Sequence, residues 1–192
     1  MTSEHIDGDE GGCTGSAQRS NRHAGHVEAV LSVTTAEDEE LRPLIAAQET
    51  EVMARYGVHD AGPGLTADTL CLIARVDDRP VGCVALGSLG DGVGEVKRMY
   101  VDPSARGHRI GRLLLNGVEE LASLSGYRAL RLEAGTGQPE ALRLYEGAGW
   151  SRIECYGYFK NDPTTICYEK AVTRVAGGPD EDLGVDATRH DP

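Results

Sequence analysis

The segment Val96–Arg112, VKRMYVDPSARGHRIGR, constrains this chain more than any other. Val96–Val101 is an apolar and β-branched run that reads as a strand. Asp102-Pro103-Ser104 ends it, because proline has no N–H and disfavours helix in the residue before it. Arg106-Gly107-His108-Arg109-Ile110-Gly111 follows, and then a long amphipathic stretch. A strand, a tight basic loop with glycines and a helix, in that order, aim free backbone N–H groups and a positive helix end at one point. That is the geometry of a phosphate or diphosphate site, to which Arg106, Arg109 and Arg112 add charge.

The flanking pattern extends this unit. Over Gly107–Ser125, Ile110, Leu114, Val118 and Leu121 recur at helical spacing, while Arg112, Asn116, Glu119 and Glu120 fall on the other side. Such a stripe packs a helix on a sheet. Arg128–Ala134 alternates Leu130, Leu132 and Ala134 with Arg131 and Glu133, which is a strand. The strand, helix and strand make a βαβ unit with parallel strands, and a ligand is expected beyond their carboxyl ends.

Before this unit the sequence predicts a strand over Val27–Thr34. A helix capped by Thr35 and Asp38 should run to about Arg55, with Leu41, Leu44, Ile45, Gln48 and Val52 on one stripe and Pro43 as a kink or a true start. His59–Ala67 is a loop. Thr69–Val76 and Pro80–Leu89 are strands around an Asp77-Asp78-Arg79 turn, and Glu95–Val101 is the fourth strand. After the unit, Gln138-Pro139 starts a short helix that stops near Gly149. Trp150–Cys155 and Thr165–Glu169 are the last strands, joined by Tyr156–Pro163. Residues 1–26 and 174–192 are polar and poor in large apolar side chains, so both read as disordered tails around one domain over 27–173.

The formal net charge is −12, which disfavours nucleic acid and anionic membrane as partners and suits a cationic substrate. No apolar run approaches the ~20 residues needed to cross a membrane, and the N-terminal stretch has no signal-peptide core. Cys13, Cys71, Cys83, Cys155 and Cys167 are odd in number and lack CxxC spacing. They read as reduced, the last four as buried strand residues, in a cytoplasmic protein. His5, Cys13, His23 and His26 show no recurring ligand spacing, so no metal site is expected.

Arg106–Gly111, with Lys97–Pro103 before it and Gly111-Arg112-Leu113-Leu114 after it, resembles the signature of the GNAT superfamily of acyl-CoA-dependent N-acetyltransferases. Arg106 and Gly111 fit the ends of the family's loop pattern, whereas Arg109 stands where its first glycine usually lies. Gln138–Trp150, QPEALRLYEGAGW, resembles a second motif of the same family, with Gln138 where many relatives carry Asn. The resemblance covers about residues 28–172. It implies an α/β fold: a mixed, mostly antiparallel sheet flanked by helices, with a splayed parallel strand pair.

The resemblance also implies acetyl transfer from acetyl-CoA to a primary amine by direct attack in a ternary complex, and often a homodimer. The diphosphate would meet Arg106, Gly107, His108, Arg109, Ile110, Gly111 and Arg112. Backbone groups of Met99, Tyr100 and Val101 would pair with the pantetheine arm, and Gln138 would add to the cofactor site. Tyr145 is the candidate acid toward the departing thiolate, and equally suits a helix tyrosine anchoring the core. Glu95 is the candidate base, with Glu133 second; each also suits a plain strand carboxylate. A base matters because only ~0.1% of an amine with pKa near 10 is neutral at pH 7. A small-molecule acceptor is favoured over a protein lysine or N-terminus, since no peptide-binding module accompanies the domain; the resemblance implies that the first-helix region, His59–Ala67 and Tyr156–Pro163 set the acceptor, and these segments carry no readable motif. A non-catalytic acyl-CoA-binding module would need the loop but neither Glu95 nor Tyr145.

Overall fold

The computed structural model describes residues 28–173. The tails expected over 1–26 and 174–192, with the histidines of the first, lie outside the described residues. In chain order the elements are β1 (Val30–Thr35), α1 (Leu41–Tyr56), β2 (Leu70–Val76), β3 (Arg79–Gly90) and β4 (Val93–Val101). A short 3-10 turn over Pro103–Ala105 leads to α2 (Ile110–Leu124), β5 (Ala129–Gly135), α3 (Pro139–Glu146), β6 (Ser151–Ile153) and β7 (Thr165–Ala171). The seven strands form one sheet in the order β1-β2-β3-β4-β5-β7-β6. Every neighbouring pair is antiparallel except β4 and β5.

The sheet is buried on both faces, because β2 and β3 are apolar at odd and even positions alike. Leu72, Val84, Leu114, Val118, Leu130 and Tyr168 belong to a core on the side of α2 and α3. Leu41 and Leu44 of α1 close a second core over Cys71, Ile73, Cys83 and Ala85 on the opposite face. On the first side, the Trp150 indole N–H donates to Glu119 of α2 (2.9 Å), and Lys170 of β7 pairs with the same carboxylate (2.6 Å).

Several boundaries differ from the sequence reading for local reasons. β1 runs three residues later than its expected start and includes Thr35, so Thr35 caps nothing. Instead Asp38 accepts from the Thr34 hydroxyl (2.6 Å) and the Glu40 N–H (2.8 Å), and α1 begins at Leu41. Pro43 is the third helical residue, where no intrahelical donor is required. α2 starts at Ile110 rather than Gly107, because Gly107 (φ +83°) and Arg109 (φ +63°) are left-handed and cannot be helical. β6 is shorter than expected.

The cysteine reading needs correction. Cys71 and Cys83 are buried free thiols, but Cys155 and Cys167 form a disulfide. Cys167 lies opposite Ile153 of β6 and opposite Glu133 of β5. The bridge therefore ties the entry of the 156–164 loop to the middle of β7. Nothing in a separation of 12 residues signals this pairing; the β6–β7 hairpin creates it.

Gly82 shows how closely β3, β4 and α2 approach. A Cβ there would lie 2.8 Å from the Tyr100 carbonyl oxygen and 3.1 Å from Leu114 Cδ1. Gly82→Ala should destabilise the protein by about 1–3 kcal/mol through overpacking. A lowered urea midpoint would show it; an unchanged midpoint would mean that the strand and helix can slide apart.

Candidate active site

β4 and β5 pair only at Val93, Gly94 and Glu95 with Ala129, Leu130 and Arg131. Beyond Glu95 the strands part. The cause lies on the far edge of β4, where its register with β3 shifts between Cys83 and Ala85. Tyr100 faces Cys83 and Lys97 faces Ala85, so Arg98 and Met99 together oppose Val84. This is a β-bulge, which bends and twists its strand. Arg98 carries the strain, at φ +50°. The result is a cavity of about 540 Å³ between the strands, bounded by Met99, Tyr100 and Val101 on one side and by Glu133 and Ala134 on the other.

At one end of the cavity lies the basic loop. Asp102 accepts from the Ser104 N–H (2.9 Å) and shapes the 3-10 turn. Gly107, Arg109, Ile110, Gly111 and Arg112 then line the cavity, and the first-turn N–H groups of α2 have no intrahelical acceptor. Arg109 occupies the left-handed conformation that glycine takes without strain. That costs an arginine about 1–2 kcal/mol, which the burial of Ile110 beside it, about 1.5–3 kcal/mol, offsets.

The loop side chains are arranged unequally. Arg106 donates to Glu51 of α1 (2.5 Å) and to the Val101 carbonyl (2.9 Å), and its guanidinium lies 5.8 Å from the Tyr100 ring centre. Arg112 donates to the Gly147 carbonyl (3.2 Å), and His108 lies 3.3 Å from the Ala105 carbonyl oxygen. Arg109 is exposed at the mouth. Gln138 precedes α3 and accepts from the Gly135 N–H (3.4 Å).

Tyr145 projects from α3 into the middle of the cavity. It is buried between Trp150 and Tyr168, and its hydroxyl donates to the Met99 sulfur (3.6 Å). Burial, and then the neighbouring Tyr168, push its phenol far above the usual range, so it stays protonated. It both anchors the core and offers a proton donor to the notch.

At the other end the cavity continues into a second space of about 310 Å³. Its floor holds Glu95 and Glu133. Glu95 pairs with Lys97 (3.1 Å). Among the described residues Glu133 has no such partner: its Oε1 is buried without a hydrogen bond. Burial first, and then the charge of Glu95, push its carboxyl up to about 7 against the opposing pull of Lys97. Gly157 covers it so closely that a Cβ there would stand 3.0 Å from Oε1. The Tyr156 phenol is pushed up strongly by burial and then by Glu95 and Glu133.

Two loops meet over this space. Phe159 packs on Gly62, and the Tyr158 hydroxyl donates to Asp60 (3.5 Å). Arg98 fastens the first loop. Its side chain, 9% exposed, donates to the carbonyls of Ala61 (3.3 Å), Gly62 (3.4 Å) and Pro63 (3.0 Å) and pairs with Glu49 of α1 (3.0 Å). The sequence does not single out Arg98, Gln48, Tyr156 or Phe159, although Gln48, Tyr156 and Phe159 fall in segments expected to set the acceptor. Two signals were present: consecutive basic residues, Lys97-Arg98, inside a strand, and a glutamine on the apolar stripe of α1.

Comparison with known proteins bears on this geometry. The profile of the acetyltransferase (GNAT) family matches residues 34–150. A protein of Azospirillum brasilense named IAA acetyltransferase is 41% identical over 105 residues, 54% of this chain and 68% of its own length. A Klebsiella pneumoniae protein described as an acyl-CoA N-acyltransferase shares the fold with a TM-score of 0.66 at 29% identity, covering 77% of this chain and 99% of its own. A GNAT family acetyltransferase from Elizabethkingia anophelis, solved with acetyl-CoA bound, has a TM-score of 0.58 at 19% identity, covering 74% of this chain and 97% of its own.

Two stability measurements probe the site. Arg109→Gly should stabilise the fold by up to about 1 kcal/mol, since glycine relieves the left-handed strain but loses more chain entropy on folding; a lowered denaturation midpoint would contradict this. For Glu133 the folded carboxyl titrates near 7 and the unfolded one near its ordinary value of 4.5. The folded state therefore holds the proton more tightly, and stability falls as pH rises between those values. Glu133→Gln should be more stable than wild type above pH 7, with the difference vanishing toward pH 5. A difference independent of pH would show that Glu133 titrates normally.

Proposed function

The chain belongs to the GNAT acetyltransferase family, and from that premise we propose that it moves the acetyl group of acetyl-CoA to the primary amine of a small molecule, by direct attack in a ternary complex. The observation that carries this reading is the notch itself. One end offers helix N–H groups and arginines, the other an unpaired carboxylate, and a protonated tyrosine stands between.

The residues fit the donor. Acetyl-CoA supplies the activated acyl group and a thiolate leaving group. The N–H groups of Gly107–Arg112 and the Arg109 side chain face its diphosphate. The edge of Lys97–Val101 toward β5 has no strand beside it, so its peptide groups are available to the pantetheine amides, as an edge strand pairs with an extended ligand. Arg106 serves by holding the loop against α1. Tyr145 donates its proton toward the departing sulfur.

The base role passes from Glu95, neutralised by Lys97, to Glu133. An ammonium must lose a proton before its nitrogen can attack, and a carboxyl titrating near 7 takes it with less penalty than an ordinary one. Cys71 and Cys83 offer no rival route through a cysteine intermediate. Burial pushes their thiols up to about 11 and about 12, so neither presents a thiolate at neutral pH. A carboxylate held unpaired opposite the loop also favours catalysis over a module that only binds acyl-CoA.

Calorimetric titration should show acetyl-CoA binding to wild type, weakened at least about tenfold in the Arg106→Ala, Arg109→Ala double variant. With an accepted amine, Glu133→Gln and Tyr145→Phe should each lower kcat by about 10²-fold or more. In wild type, kcat should rise with pH through about 7 as Glu133 loses its proton. A strong loss in Glu95→Gln with none in Glu133→Gln would return the base role to Glu95. An absence of acetyl-CoA binding would overturn the proposal as a whole.

A further inference from the structure

The 310 Å³ space between the 59–67 loop, the 156–164 loop and the β4–β5 floor has a charge balance that selects among amines. Among the described residues two cationic side chains line it, Lys97 and Arg98, and both are held in ion pairs. Lys97 pairs with Glu95 (3.1 Å). Arg98 pairs with Glu49 (3.0 Å), and both of its Nη atoms donate to the backbone carbonyls of residues 61–63. Its Nε is buried without a hydrogen bond. One N–H of a neutralised guanidinium can serve a hydroxyl or carbonyl, but not the bidentate grip and net charge that a carboxylate requires. Arg131, stacked 5.7 Å from the Tyr156 ring, is paired with Glu169 (2.7 Å).

The acids are less completely spent. Glu133 Oε1 and the Gln48 carbonyl oxygen are buried without hydrogen bonds. Asp60 and Asp162 line the same space and have no cationic partner among the described residues; they accept only from Gly62 and Tyr158, and from Thr164. Gln138, Thr164 and Thr165 add polar groups, and Val52, Tyr56, Leu89, Tyr158 and Phe159 make an apolar and aromatic part of the lining. Tyr158 and Phe159 present an edge-to-face pair with centroids 4.8 Å apart. The volume is at the small end for ligand sites, and the contact of Phe159 with Gly62 bridges the two loops as an extended peptide groove would not allow.

We infer that this space is the acceptor site and takes a primary amine on an apolar, ring-bearing body that carries no carboxylate. The ammonium sits against Glu133 and Gln48, and the ring lies among Tyr56, Tyr158 and Phe159. An amino acid of the same skeleton is rejected, because its carboxylate would enter a space whose uncompensated charge is negative. The inference rests on the amine-acetylation reading for its chemistry but can be tested apart from it.

The test uses a matched pair. Phenethylamine and phenylalanine differ only by the carboxylate. Their binding to the protein saturated with coenzyme A, which cannot transfer an acetyl group, should differ by at least about 100-fold in favour of the amine. Glu133→Gln should remove most of the phenethylamine affinity while coenzyme A still binds. Equal affinities, tighter phenylalanine, or no binding of either would overturn the inference, and so would tighter binding of 1,4-diaminobutane, which would make the far end a second ammonium site. Turnover with acetyl-CoA decides the parent reading separately. Selective phenethylamine binding without acetylation would sink that reading and leave only the ligand class of the space standing; acetylation of phenylalanine but not phenethylamine would do the reverse.

Discussion

A single extra residue in β4 governs the site. Arg98 at φ +50° breaks the β3–β4 register, and the strand turns away from β5 after three paired residues. A left-handed arginine is unfavourable by about 1–2 kcal/mol. Its guanidinium, buried against Glu49 and the carbonyls of residues 61–63, supplies charged hydrogen bonds of about 1.5–3 kcal/mol each before desolvation. The bulge that opens the notch is therefore held by the bonds that position the 59–67 loop. A regular β4 would continue its pairing with β5, closing the notch and releasing the 59–67 loop at once.

The opening has polarity along its length. Helix N–H groups and arginines collect at the carboxyl end of β4, where a parallel βαβ unit places the N-terminus of its helix. Carboxylates collect near Glu95, where the strands still touch. In the proposed reaction an anionic donor and a cationic acceptor would meet opposite ends of one cavity, with the Tyr145 hydroxyl between them. Burial at that midpoint matters as much as position, because it keeps the phenol protonated while its partner Met99 makes only a weak sulfur contact.

The parts legible in the sequence are those with a period. The stripe Ile110, Leu114 and Val118 and the alternation Leu130, Leu132 and Ala134 define a helix and a strand whose cores leave little choice, and both lie where expected. The proline-ended strand and its basic loop likewise stand together at the end of the notch. What failed to show was set by contacts distant in sequence. The start of α2 depends on two departures into left-handed backbone, at Gly107 and Arg109. The disulfide depends on a hairpin. The character of Glu133 depends on Gly157 and Tyr156, more than twenty residues away, which bury it, and on Glu95, which raises it further.

This asymmetry has a physical origin. The donor end is built from backbone: peptide N–H groups, an unpaired strand edge and a helix terminus, all of which follow from topology and tolerate many side chains. The acceptor end is built from side chains on two loops with no period, and their arrangement is fixed by Arg98, by Phe159 on Gly62 and by Tyr158 on Asp60. In the proposed reading, a change in those loops that spares the Arg98 bonds alters the charge and shape offered to the amine and leaves the backbone of the diphosphate cradle as it is. To that extent the proposed acceptor chemistry is separable from the donor chemistry. Arg98, whose backbone opens the notch and whose side chain holds the 59–67 loop, is the residue through which the two ends are joined.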